Sequence, residues 1–348
     1  MSHEIDLSKY QIRTDLLIEN ISQNSIKSID SKVRKIDDLT IEEVNLDKDN
    51  EKLFNKRKGK YITINFNDVT DISNRKKVEK VLIDELKTFL KYMNILDSDK
   101  CLVVGLGNAN STPDALGPKV IDSIIITKHL FDLDGVDVLD GYRNVSAIKP
   151  NVLALTGIET KDIISGVIEK TNPDFIIVVD ALASSSISRV NKTIQLTDAG
   201  IFPGSGIGNN RGELSYSTLG VPVLAIGVPT VVDAVTIVSD TINYMMKKFS
   251  YSKKNINNVK NKLKPVTSIN YLEEETDFLT KTDRKKLLGE IGNLTDNEFK
   301  QLIFEVLTPI GYNMMVTPKE VDFVMEKLSL TIANGINRVL HDKVKVID

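Results

Sequence analysis

Two aspartates follow apolar runs that are typical of buried β-strands. Asp114 lies in the segment TPDALGP at 112–118, within the loop that follows the apolar run CLVVG at 101–105, and Asp180 ends the apolar run IIVVD at 176–180. Open parallel sheets bind their ligands in the crevice beyond the carboxyl ends of the strands. If the two runs form neighbouring strands, both carboxyl groups face one crevice. Such a pair can perform general acid/base catalysis when one carboxylate accepts a proton and the other carboxyl group donates one.

Each aspartate also has a purely structural interpretation. Asp180 can cap a helix formed by the ALASSS segment that follows it, and Asp114 can be a turn residue between Pro113 and Pro118. For one aspartate taken alone, the structural interpretation is at least as good as the catalytic one. Two carboxyl groups directed at one crevice favour catalysis, so we predict that Asp114 and Asp180 form a catalytic pair.

Two glycine-rich segments suggest a different class of function, the binding of a nucleotide or another small molecule. GLGNAN at 105–110 resembles the start of a dinucleotide-binding turn, but Asn110 takes the place of the third glycine and two prolines precede the next helix. The segment GIFPGSGIGNNRGE at 200–213 can form an anion-binding nest, a substrate-binding rim or a flexible connection. A nucleotide- or small-molecule-binding module therefore remains an alternative to an enzyme.

The composition argues against several other functions. The 348 residues carry a net charge of -3, which provides no basic surface for direct binding of nucleic acid. Cys101 is the single cysteine, and the histidines are widely separated, at His3, His129 and His341. Neither a disulfide framework nor a Ser/His or Cys/His catalytic pair is therefore indicated, and the serine run at 184–186 has no obvious base nearby. No cofactor is predicted.

The same features predict a cytoplasmic protein. A single cysteine suits a reducing compartment, and the amino-terminal stretch MSHEIDLSKYQIRTDLLIEN lacks the apolar core of a signal peptide. The most apolar run, at 221–238, is interrupted by Pro222, Pro229 and Asp233. These interruptions argue against a membrane span and predict a strand, a turn and a helix instead.

The apolar pattern predicts strands that alternate with helices. Strands are predicted at 61–66, 101–105, 174–182 and 221–227, and helices at 72–94, 119–131, 160–171, 231–249, 296–308 and 318–340. This alternation predicts an α/β fold in which a mostly parallel central sheet is flanked by helices. The polar stretch at 250–280 is predicted to be an exposed connection to the C-terminal helices.

Several long segments carry a resemblance to one known family. They include DLSKYQIRTDL at 6–16, GLGNANSTPDALGPKV at 105–120, NPDFIIVVDALA at 172–183, LGVPVLAIGVPTVVDAVTI at 219–237 and GYNMMVTPKEVDF at 311–323. Through these segments nearly the whole chain resembles the spore germination endopeptidases of spore-forming Firmicutes. Members of that family degrade small acid-soluble spore proteins. Their central sheet is similar to that of the hydrogenase maturation endopeptidases.

The resemblance implies a site and a mode of activation. The catalytic carboxylates of the family correspond by motif to Asp114 and Asp180, the pair that the crevice argument also indicates. Family members are homotetrameric zymogens of the spore core that remove a short amino-terminal segment. The implied organisation is a propeptide at 1–15, an α/β catalytic domain at 16–250, a connection at 251–280 and a helical extension at 281–348.

The implied self-cleavage site is the bond between Asp15 and Leu16. Substrates of the family resemble a small hydroxyl residue, an acidic residue, the cleaved bond, an apolar residue and a later acidic residue, and Thr14, Asp15, Leu16 and Glu19 follow that order. Leu17 departs from the small residue usual in the family. A second enzyme class, a metal-dependent maturation-type peptidase with its metal between the two carboxylates, remains an alternative.

Overall fold

The computed structural model describes residues 14–23, 31–54, 56–133, 140–204, 212–257, 279–307 and 314–344. The chain divides into two compact units. The large unit comprises Arg13–Val231 and Thr317–Asp348, and the small unit comprises Met1–Ile12 and Val232–Val316. Most of the predicted propeptide, residues 205–211 of the second glycine-rich segment and residues 258–278 of the predicted connection lie outside the described residues.

The large unit is built on a β-sheet whose strands follow the order β1-β2-β3-β7-β8-β6-β4-β5. The strands are β1 (Ser31–Ile36), β2 (Leu39–Leu46), β3 (Gly59–Asn65), β4 (Cys101–Gly105), β5 (Val145–Ile148), β6 (Phe175–Ser184), β7 (Thr193–Thr197) and β8 (Val223–Asp233). The last two residues of β8 belong to the small unit, where they pair with β9 (Met315–Val316).

The sheet is mixed, so the predicted mostly parallel sheet is not confirmed. Strand β4 pairs in parallel with β5 and with β6. In contrast, β1, β2, β3, β7 and β8 pair with one another in antiparallel fashion, each with the next in this order. The predicted strand at 61–66 is therefore preceded by an unpredicted hairpin, in which Asp37 turns the chain with a φ of 52°.

Helices cover both faces of the sheet in the large unit. They are α1 (Leu17–Gln23), α2 (Glu51–Phe54), α3 (Ile72–Tyr92), α4 (Leu116–Ile121), α5 (Lys128–Phe131), α6 (Leu153–Thr156), α7 (Thr160–Thr171), α8 (Tyr216–Leu219) and, at the C-terminus, α12 (Val321–Leu340). Helices α3 and α12 pack with apolar side chains of β4 and β6 on one face. On the other face, Ile164 of α7 packs with further side chains of the same strands. Burial on both faces explains why these strands are continuously apolar.

The small unit contains three α-helices among the residues that the structure describes. They are α9 (Ala234–Lys254), α10 (Lys281–Leu288) and α11 (Asp296–Leu307). Asp233 caps α9, because its side chain accepts hydrogen bonds from the main-chain nitrogen of Thr236 at 2.8 Å and from the Thr236 hydroxyl at 2.6 Å. Within the described part of the chain, no helix has the length and apolar character needed to cross a membrane.

Two predicted elements differ from the structure. The helix predicted at 119–131 is two short helices, α4 and α5, and Pro118 lies in the first turn of α4, where a missing N–H is tolerated. The strand predicted at 221–227 continues to Asp233, so no turn follows it at Pro229. Pro229 does not interrupt the pairing with β7, because that pairing extends only from Ala225 to Gly227 of β8.

Candidate active site

The loop that carries Asp114 folds back onto the end of β4. Asp114 lies in a short 3-10 helix, Thr112–Asp114. The main-chain nitrogen of Asn108 donates hydrogen bonds to the Asp114 side chain (2.9 Å) and to the Asp114 carbonyl (3.1 Å). Gly107 has a φ of 108°, and a Cβ atom at this position would lie 2.0 Å from the Asp114 carbonyl oxygen. Only glycine therefore permits this fold of the loop.

Asp180 lies within β6, so the helix-cap interpretation of this residue is wrong. The strand continues through Ser184, and the main-chain nitrogen of Ala181 donates a 2.9 Å hydrogen bond to the Asp180 side chain. The side chain is buried. Strand β4 ends at Gly105, which pairs with Val179, so Asp180 is the first residue of β6 beyond the end of its parallel neighbour. The crevice argument therefore still applies to it.

The structure brings the segments of the two aspartates together at this edge of the sheet. Leu106 donates a 2.8 Å main-chain hydrogen bond to the carbonyl of Val179, the residue before Asp180. The 3-10 helix that ends at Asp114 lies next to β6. The Thr230 hydroxyl of β8 donates a 2.6 Å hydrogen bond to the Pro113 carbonyl and so ties the loop to the sheet. The Asp114 loop therefore lies beside the part of β6 that carries Asp180.

Asp180 points to the sheet face opposite α3 and α12. Side chains alternate between faces along a strand. Val179 packs in the core formed with α3 and α12, whereas Val178 packs with α7 on the opposite face. By this alternation Asp180 and Leu182 share the face of Val178. Leu182 lines a cavity of about 40 Å³ on that face.

The predicted cleavage site lies beside the same cavity and is attached to β6. The main-chain nitrogen of Asp15 donates a 3.0 Å hydrogen bond to the Ala183 carbonyl, and the Ala183 nitrogen donates a 2.8 Å bond to the Asp15 carboxylate. Leu16 and Leu17 are buried. The segment is therefore bound through Asp15 to the strand that carries Asp180.

The carbonyl oxygen of Asp15 accepts hydrogen bonds from two side chains. They are the ammonium of the half-buried Lys56 at 3.0 Å and the amide nitrogen of Gln195 at 3.3 Å. Burial lowers the pKa of Lys56, and the carboxylates of Asp15 and Glu19 oppose this shift. Both donors were missed by sequence reasoning, because nothing in the motifs around Lys56 or Gln195 relates them to each other.

The carboxylate of Glu19 is buried and held by several donors. The hydroxyl of Ser184 donates at 2.6 Å, and Ser185 donates from its nitrogen at 2.7 Å and from its hydroxyl at 2.9 Å. Thr14 also donates to Glu19. The guanidinium of Arg189 lies 3.6 Å away. The substrate-like pattern had singled out Glu19, but nothing in the sequence related Glu19 to the serine run or to Arg189.

Other candidate residues lie apart from this region or line the cavity. Gly200 and Phe202, from the described part of the second glycine-rich segment, line the cavity. Cys101 is buried in β4, where burial raises the pKa of its thiol. His129 lies in α5 and His341 follows α12. Among the residues that the structure describes, no three His, Cys, Asp or Glu side chains form a group that could hold a metal ion.

Comparison with known proteins shows one consistent similarity. A family model described as "Germination protease" matches residues 8–347. The chain is 46% identical over 361 residues to the germination protease of Priestia megaterium (strain ATCC 12872 / QMB1551), with 99% of this chain and 97% of that protein covered. It is 45% identical to the germination proteases of Bacillus cereus (strain AH187) and Bacillus mycoides (strain KBAB4), with the same shares covered.

Proposed function

The chain belongs to the germination protease family and is a peptidase, and we propose that it is a zymogen that cleaves its own Asp15–Leu16 bond with Asp114 and Asp180 as its acid/base pair. In the same proposal, the processed enzyme acts as an endopeptidase in spore germination and begins the degradation of small acid-soluble spore proteins. A homotetrameric state and a location in the spore core are further parts of the proposal, implied by the family resemblance.

The attachment of the Asp15 segment to β6 is the observation that carries this proposal. Asp15 forms two hydrogen bonds with Ala183, three positions along the strand from Asp180. The small hydroxyl residue, the acidic residue and the later acidic residue expected of a substrate are Thr14, Asp15 and Glu19, and all three make specific hydrogen bonds. These contacts support the proposal that the segment binds here as a substrate.

Paired carboxyl groups can supply both proton transfers that peptide hydrolysis needs. One aspartate, ionised, takes a proton from water as the water oxygen attacks the carbonyl carbon of Asp15. The other, protonated, gives its proton to the nitrogen of Leu16 as the C–N bond breaks. Two neighbouring carboxylates resist double ionisation, so the pair shares one proton and titrates as a unit.

Cleavage of a spore protein by purified enzyme tests the proposed activity. Wild-type protein, Asp114→Asn and Asp180→Asn are each incubated with a small acid-soluble spore protein, and the fragments are mapped by mass. Wild type should cut after acidic residues that follow a small hydroxyl residue. Both variants should be inactive but folded, because each substitution removes an ionisable group and almost no volume.

The control variant is Asp122→Asn, because Asp122 is a helix C-cap whose exposed side chain pairs with Lys149. It should cleave at the wild-type rate. A chelator added to wild type distinguishes the metal-dependent alternative: unchanged cleavage supports the carboxylate mechanism, and abolished cleavage that zinc restores supports a metal. A folded wild-type protein without any cleavage would contradict the proposal and favour a binding module.

A further inference from the structure

The bond between Asp15 and Leu16 is contacted on both sides by one side chain. The amide nitrogen of Gln195 donates to the Asp15 carbonyl at 3.3 Å, and its amide oxygen accepts from the Leu17 nitrogen at 2.9 Å. Lys56 adds a second donor to the same carbonyl at 3.0 Å. These contacts fix the orientation of the carbonyl group and aim two N–H donors at its oxygen.

We propose that Lys56 and Gln195 form the oxyanion hole for cleavage of the Asp15–Leu16 bond, an inference that rests on the proposed self-cleavage. When water attacks the carbonyl carbon, the π electrons of the C=O bond move to the oxygen, which becomes negatively charged. Donors already placed at this oxygen stabilise that charge without reorganisation. In its protonated form, Lys56 adds a positive charge to the amide dipole of Gln195.

The surroundings of Lys56 strengthen this interaction. Lys56 is half-buried, and an electrostatic interaction is stronger away from bulk water. The nearby carboxylates of Asp15 and Glu19 favour the charged ammonium, against the desolvation that lowers its pKa. Both donors reach the cavity face of the sheet, because Lys56 and Gln195 line the same cavity as Leu182. Asp180 points to that face as well.

This arrangement divides the chemistry between two pairs of residues. Asp114 and Asp180 exchange protons with the attacking water and with the leaving nitrogen of Leu16. Lys56 and Gln195 stabilise the oxyanion and exchange no proton. When the intermediate collapses, the C=O bond reforms and the C–N bond breaks, which leaves a carboxyl group on Asp15 and an amine on Leu16. Neither aspartate then needs to protonate the carbonyl oxygen.

The test measures the rate at which the full-length chain acquires Leu16 as its amino terminus. Intact mass spectrometry follows this conversion over time. Three variants are compared with wild type: Lys56→Met, Lys56→Arg and Gln195→Glu. The Gln195→Glu side chain keeps its size and an acceptor for Leu17 but presents an oxygen where the donor was. Lys58→Met is the matched control, because Lys58 is an exposed cation on the same segment.

Removal of one oxyanion donor typically slows a reaction by about 100-fold. We expect Lys56→Met to process about 100-fold more slowly than wild type, Gln195→Glu at least about 10-fold more slowly, and Lys56→Arg to recover part of the loss. Lys58→Met should process at the wild-type rate. If Lys56 had only a structural role, Lys56→Arg would not process faster than Lys56→Met when the two variants are equally stable to urea.

Two different failures are distinguishable. If wild type never produces the Leu16 terminus, the proposed self-cleavage itself is wrong. If wild type produces it and both Lys56→Met and Gln195→Glu match its rate within about threefold, the oxyanion hole is wrong and self-cleavage stands. Should Lys56→Met fail to fold, the Gln195→Glu rate decides, since that substitution preserves shape.

Discussion

Asp15 and Ala183 form a reciprocal pair of hydrogen bonds, 3.0 Å from the Asp15 nitrogen to the Ala183 carbonyl and 2.8 Å from the Ala183 nitrogen to the Asp15 carboxylate. The acidic side chain before the proposed cleavage site is thus recognised by the main chain of the strand that carries Asp180. The donor is the main-chain nitrogen of Ala183, so the amino-acid type at this position does not reveal that it binds the Asp15 carboxylate. The same pairing aligns the peptide with the strand.

The Glu19 subsite predicts a loss of both stability and processing on substitution. Glu19→Ala removes a buried carboxylate that accepts from Ser184 and Ser185 and faces Arg189. Because these donors lose their acceptor inside the protein, the free energy of unfolding should fall by about 2–4 kcal/mol. Urea denaturation measures this change. Unchanged stability together with unchanged processing would show that the subsite has no energetic role.

An alanine substitution should affect activity differently at two glycines with positive φ, Gly107 beside the Asp114 loop and Gly157 after α6. Gly107→Ala places a Cβ atom 2.0 Å from the Asp114 carbonyl oxygen, so the loop must move and peptidase activity should be lost. Gly157→Ala is the matched control, because Gly157 has a φ of 71° but its Cβ would meet nothing within 4 Å. It should cost only about 1 kcal/mol of stability and leave activity intact. Equal activity in the two variants would show that Asp114 placement does not limit catalysis.

Because the His341 ring is buried, we expect the stability of the protein to depend on pH in mildly acidic solution. Its Nδ1 accepts from the Arg143 nitrogen at 3.2 Å and its Nε2 lies 3.2 Å from the Ile125 carbonyl, which suits the neutral ring. Burial, with the charge of Arg143, lowers the pKa of His341 below its ordinary value of 6.5, and the Ile125 carbonyl opposes the shift. The unfolded chain therefore binds a proton first, and the free energy of unfolding falls as the pH drops from about 6.5 through the lowered pKa.

Urea denaturation at several pH values checks this prediction, with His341→Gln as the comparison. A glutamine side chain can accept from Arg143 and donate to Ile125 but does not titrate. The difference in unfolding free energy between wild type and His341→Gln should therefore change in this pH range. Parallel pH profiles for the two proteins would contradict the assignment.

Sequence patterns predicted the elements whose burial leaves a clear signal. Strand β4 and helix α7 were predicted at their observed bounds, and α3 nearly so, because apolar side chains mark the buried faces. Strand β1 was missed, because every residue of SKVRKI is exposed at the sheet edge and no apolar alternation marks it. Strands β2 and β7 were also missed, so the antiparallel pairing of the predicted strands β3 and β8 could not be inferred.

The candidate site was predictable only where it follows a strand or a motif. Asp114 and Asp180 could be found because each follows an apolar run. Lys56 and Gln195 could not, because Lys56 follows α2, Gln195 lies in β7, and only the sheet order brings both elements to the Asp15 segment. Tertiary proximity between distant segments leaves no local pattern in one sequence.

The amino terminus of the purified full-length chain, determined by mass after incubation, tests the central claim most directly. Wild type should convert to a single species that begins at Leu16, whereas Asp114→Asn and Asp180→Asn should retain their original terminus under the same conditions. Trimming by a contaminating protease would instead give several different amino termini in all three proteins. The account is contradicted if either folded aspartate variant produces the Leu16 terminus at the wild-type rate, or if wild type retains its terminus while it cleaves spore proteins.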